Sequence, residues 1–122
     1  MGLHLMPGVD LRGMSPQIGL AISVADAAFG ERGRDCILTC VRRWGGFDVD
    51  GFHATGNAVD ISVADLRRVP LPSPEVDAIV ARLQMVLGRL GGGQFDIVDE
   101  RPGRNPSRQS TGPHIHIEFD PK

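Results

Sequence analysis

Residues 114–119 read His114-Ile115-His116-Ile117-Glu118-Phe119, and their strict alternation decides the fold class. On an extended strand successive side chains point to opposite faces, so Ile115, Ile117 and Phe119 share one side. His114, His116 and Glu118 share the other. A strand with one apolar and one polar face belongs to a sheet covered on one side only, the pattern of an antiparallel sheet backed by helices. Working outward, three further runs read as strands: Cys36–Val41, Ala58–Val63 and Phe95–Val98. In Ala58–Val63 the parity sets Asp60 with Ala58 and Ser62, away from Val59, Ile61 and Val63.

Two segments carry helical periodicity instead. Ser15-Pro16 opens the first as N-cap and first-turn proline, Ile18, Ala21, Ile22, Ala25 and Phe29 form its stripe, and Gly30 is placed to end it. Ser73-Pro74-Glu75 opens the second. Its apolar face is Val76, Ile79, Val80, Leu83, Leu87 and Leu90, and Gly91-Gly92-Gly93 stops it. The order helix, strand, strand, helix, strand, strand predicts an α+β fold: a small antiparallel sheet of about four strands backed by two main helices, with chemistry on the polar sheet face.

Composition bounds the rest. The 122 residues fit one domain, 1–122, with a modest core. Thirteen basic and fifteen acidic residues nearly cancel, which speaks against a chain built to grip nucleic acid or anionic lipid through bulk charge. No apolar run approaches the ~18–20 residues needed to cross a bilayer. The opening MGLHLMPGVDLRG lacks the basic and long apolar regions of a secretory signal peptide, so export is expected to need another route. Cys36 and Cys40, four apart on one predicted strand, lie about 13 Å from one another, too far to bridge. Both read as small core residues, although such a pair can also contribute to a metal site.

Three of the four histidines fall in two short stretches, GFHATGNAVDIS with His53 and GPHIHIEFDP with His114 and His116. Zinc takes imidazole nitrogen and carboxylate oxygen at about 2.0–2.2 Å, and a catalytic site uses three such ligands with one position left to water. His53 lies on a glycine-rich turn, Asp60 on the strand that follows, and His116 on what reads as a neighbouring strand. Gly51 and Gly56 allow the turn to fold back so that His53 returns toward Asp60. His114 and His116, on one strand face, supply two ligands, or one ligand and a supporting histidine.

His53-Ala-Thr-Gly56-Asn-Ala58-Val-Asp60 resembles the H-x-x-G-x-A-x-D signature of the LAS zinc peptidases. These are the D-alanyl-D-alanine carboxypeptidases and dipeptidases, the L-alanyl-D-glutamate endolysins and the related hedgehog domain. The later His114-Ile-His116 follows in the family's chain order, and the closing HIHIEFDP looks most like small phage or prophage peptidases. The likeness runs from about Thr39 to Asp120. It implies one Zn2+ per chain held by His53, Asp60 and His116, with His114 beside the metal. It also implies a peptidoglycan stem peptide as substrate, cut next to a D-amino acid in the manner of a carboxypeptidase or endolysin. Made in the cytoplasm, such an enzyme would act at the cell wall after phage-type release or within a virion, where tail proteins become partners.

The general base expected three to six residues before the last ligand is missing: Ser110, Thr111, Gly112 and Pro113 do not titrate usefully. Glu100, at the end of FDIVDE, and His114 are the remaining candidates, with Glu100 preferred and Asp99 expected to point to the opposite side. Glu118 is expected to orient an imidazole or cap the site edge. Relatives use an arginine on an earlier strand for substrate, and Arg43 aligns best with it. Relatives also carry a serine where this chain has Gly51. Arg101, Arg104 and Arg108 in the following loop would attract an acidic peptide or form a charged loop. The contrasting reading is a non-catalytic zinc module of the same fold, for example in a phage tail.

Overall fold

A computed structural model of the chain describes residues 2–42, 52–103 and 113–121. Five strands and two helices follow in the order β1 (Leu3–Leu5), α1 (Pro16–Gly30), β2 (Cys36–Cys40), β3 (Ala58–Ser62), α2 (Ser73–Gly91), β4 (Phe95–Asp99) and β5 (His114–Phe119). The sheet order is β1-β2-β3-β5-β4. The α+β class holds, with one more strand than the sequence predicts.

That strand, β1, runs parallel to β2. Parallel neighbours need a crossover connection, and α1 supplies it. Three residues are too few to display a period, which is why Leu3–Leu5 was not legible as a strand. It is tied down by Gly2 N donating to Asp35 Oδ1 at 2.8 Å and by Met6 N donating to the Leu38 carbonyl at 3.0 Å. The other three pairings are antiparallel.

Both helices cover one sheet face. Ile18, Ala21, Ile22, Ala25 and Phe29 of α1 and Val76, Ile79, Val80, Leu83 and Leu87 of α2 are buried against Cys36, Leu38, Val59, Ile61, Ile115 and Ile117. Leu90, assigned by its spacing to the same stripe, is 59% exposed because it falls in the last turn of the helix. Ser15 caps α1, accepting from Ile18 N at 3.2 Å. Ser73 does not cap α2: the helix begins at Ser73 itself after Pro72, and the Ser73 hydroxyl accepts from Arg101 Nη1 at 3.1 Å. The left-handed residue that ends α2 is Gly92, at φ 58°.

The register of β3, β5 and β4 sets the polar face. Asp60 lies opposite His116, Ser62 opposite His114 and Ala58 opposite Glu118. Val98 lies opposite His116, and Glu100 N donates to the His114 carbonyl at 3.0 Å just beyond the last strand pair. A period of two then puts Asp60, His114, His116, Glu118 and Glu100 on one side of three adjacent strands.

Candidate metal centre

Asp60 is the hub. Its Oδ1 lies 2.8 Å from His116 Nδ1 and 3.4 Å from His114 Nε2, and its Oδ2 lies 3.2 Å from His53 Nε2. The four side chains are mostly shielded, with Asp60 and His116 each 7% exposed. The rings of His53 and His116 meet edge to face with centroids 5.3 Å apart.

His53 reaches the hub from outside the sheet, and the backbone explains how. In the turn after residue 51, Asn57 N donates to the Phe52 carbonyl at 2.7 Å and Gly56 N to the His53 carbonyl at 3.2 Å. Gly56 sits at φ 79°, and a Cβ there would stand 2.1 Å from the Gly13 carbonyl oxygen, so only glycine fits. Ser15 N donates to the Gly56 carbonyl at 2.9 Å, which pins the turn to the start of α1. The His53 ring is then fixed by Nδ1 donating to the Val41 carbonyl at 2.8 Å, which leaves Nε2 toward Asp60.

A second layer of carboxylates holds the other two imidazoles. Glu118 Oε1 is 2.9 Å from His116 Nε2, and Glu100 Oε2 is 2.7 Å from His114 Nε2. An imidazole anchored at one nitrogen by a carboxylate or a backbone carbonyl presents the other in a fixed direction, the arrangement common around ligating histidines. His53 on Val41 and His116 on Glu118 both follow it.

The charges are strongly coupled. Burial raises the Asp60 carboxyl, but its bonds to His116 and His53 outweigh this and hold it well below the usual carboxylate range. Burial lowers the His53 imidazole, but its bonds to Asp60, Cys40 and Val41 prevail and push it up to about 10. Both shifts favour a charged pair between His53 Nε2 and Asp60 Oδ2, 3.2 Å apart.

The donor set fits a metal. Two groups of ligand-type side chains share Asp60, one with His114 and His116 and one with Cys40 and His53, and within each group the ligand atoms lie within 4.8 Å of one another. Zinc with bonds of about 2.0–2.3 Å separates its ligand atoms by roughly 3.3–3.8 Å. Asp60 meets His53 at 3.2 Å and His116 at 2.8 Å, below that spacing, but the two histidines fall in different groups, so the expected set His53, Asp60 and His116 spans both groups with Asp60 as the shared member.

His53, Asp60, His114, His116, Glu100 and Glu118 are thus brought together, and Asp99 points away as expected. Asp99 instead accepts from Arg101, which also pairs with Asp77 of α2. Arg101 is therefore committed to the helix side rather than to the polar face. Arg43, Gly51, Arg104, Arg108 and residues 110–112 lie outside the described residues. The residue that sequence reasoning misplaced is Cys40. Assigned to the core with Cys36, it stands with its Sγ 3.5 Å from His53 Nδ1, on the polar face. Compared with known proteins, the chain matches no family model, and neither the curated proteins nor the solved structures give a match.

Proposed function

We propose that the chain is a zinc-dependent peptidase acting on peptidoglycan stem peptides at a bond next to a D-amino acid. The observation that carries the reading is Asp60 drawn into contact with His53 and His116, with the Glu100–His114 pair alongside. His53, Asp60 and His116 would hold the cation, and His114 stays beside it. When bound, zinc would polarise a carbonyl and bring the pKa of a water toward ~7.

The remaining work falls to this chain's own side chains. Glu100 is the proposed general base, taking the proton of the attacking water and returning it to the leaving amine. His114 Nε2, 2.7 Å from Glu100 Oε2, fixes that carboxylate toward the polar face. Glu118 keeps the His116 ring from turning.

Purified sacculi incubated with the metal-loaded chain test the reading. Release of stem-peptide fragments is expected, stopping on chelation and returning with zinc. Glu100→Gln is expected to lose about 100-fold or more in rate while keeping its metal. A metal-loaded protein that releases nothing from sacculi or from synthetic stem peptides would instead support the non-catalytic zinc module.

A further inference from the structure

On a straight strand Cys36, Leu38 and Cys40 would share one face, and Cys36 and Leu38 are fully buried in the core beneath the helices. Cys40 does not follow them. Leu38 pairs with Ile61, yet Cys40 pairs with Asp60, so β2 advances two residues while β3 advances one. The extra residue, Thr39, makes a bulge, and a bulge re-aims the side chain that follows it. Its effect here is to carry a thiol out of the apolar core and set it across from the carboxylate at the hub.

The geometry points to Cys40 as a metal ligand: its sulfur, the His53 imidazole and the Asp60 carboxylate form one donor group for a zinc-class cation. This rests on the metal-centre reading above and extends its ligand set by one. The ligand atoms of Cys40, His53 and Asp60 lie within 4.8 Å of one another, so closing on a cation requires shifts of about 1 Å. Cys36 supplies the contrast within the same strand, sealed among apolar side chains with its thiol pushed up to about 12 by burial.

A thiolate in the set has two consequences. It favours zinc and similar soft or borderline ions over magnesium and calcium, which prefer oxygen. On ligation the Cys40 S–H bond breaks, sulfur keeps the electron pair, and the proton leaves to solvent. Cys40, His53 and Asp60 would supply three donors of a tetrahedral site and leave one position for a further ligand.

Cobalt(II) substitution of the whole chain tests this, since thiolate ligation adds an intense near-ultraviolet charge-transfer band to the visible bands of the ion. The band is expected in the native chain and in Cys36→Ala, and absent from Cys40→Ser, which should retain the visible bands and bind zinc about tenfold or more weaker. Should Cys40→Ser fail to fold, alkylation of the native protein by iodoacetamide decides: one equivalent of zinc should slow modification of Cys40 about tenfold or more. Visible cobalt bands without the charge-transfer band, or alkylation of Cys40 unchanged by zinc, would overturn the assignment and leave the His and Asp site standing. No uptake of cobalt or zinc at all would overturn both.

Discussion

Replacing Gly56 with alanine tests how the backbone delivers His53. At φ 79° the left-handed backbone costs a non-glycine residue about 1–2 kcal/mol. The added Cβ would also stand 2.1 Å from the Gly13 carbonyl oxygen and 3.0 Å from Met14 Cα, all of it backbone. Relieving that contact needs a shift of roughly 1 Å, and forced overpacking of this kind costs about 1–3 kcal/mol. The sum is about 2–5 kcal/mol. Gly92→Ala is the control, because Gly92 also has a positive φ, 58°, but a Cβ there meets nothing within 4 Å. It should lose only the backbone part, about 1–2 kcal/mol. Urea unfolding of both metal-free variants gives the two losses directly, provided the slopes agree. Displacing the turn also moves His53 away from Asp60, so Gly56→Ala should bind zinc about tenfold or more weaker while Gly92→Ala binds normally. Equal losses for the two variants, with equal zinc affinity, would refute the claim that this glycine positions the ligand.

Metal-free protein should be most stable between about pH 4 and 6.5. Asp60 is held below its ordinary 3.8, so its contribution is present above that pH and is lost as pH falls through the lower native value. His53 is raised from 6.5 to about 10, so its contribution is complete below 6.5 and is lost as pH rises toward 10. Zinc affinity should run the other way, increasing with pH over that alkaline range because the His53 proton must leave; a flat affinity from pH 6.5 to 9 would contradict this. Glu118→Gln should weaken zinc binding about tenfold with little loss of fold, measured by competition with a chelating dye, since the carboxylate orients His116 from outside the ligand set. Arg101→Met should cost stability in urea, through its bonds to Asp99, Asp77 and Ser73, yet leave zinc binding unchanged.

Much of the site was legible because a strand has an exact period. Once His114–Phe119 is read as a strand with Ile115 and Ile117 inward, His114, His116 and Glu118 must face the other way, and β3 adds Asp60 by the same parity. Asp99 and Glu100 sorted correctly for that reason. Cys40 escaped because the bulge at Thr39 breaks the period, and nothing in CILTCV announces a pairing irregularity that depends on β3. β1 escaped because its pairing is with a distant segment and its length shows no period. Leu90 continues the helical stripe, but the stripe says nothing of where the neighbouring surface ends. The role of Arg101 was out of reach because it depends on α2 presenting Asp77 and Ser73 to the end of β4.

The most direct measurement is zinc per chain, by elemental analysis of protein purified without chelator or a metal-binding tag, with His116→Ala prepared alongside. About one zinc in the native chain and much less in the variant is the expected result. A native chain that carries none and takes up none on addition, or a variant that holds as much as the native chain, would contradict a metal centre built on His53, Asp60 and His116.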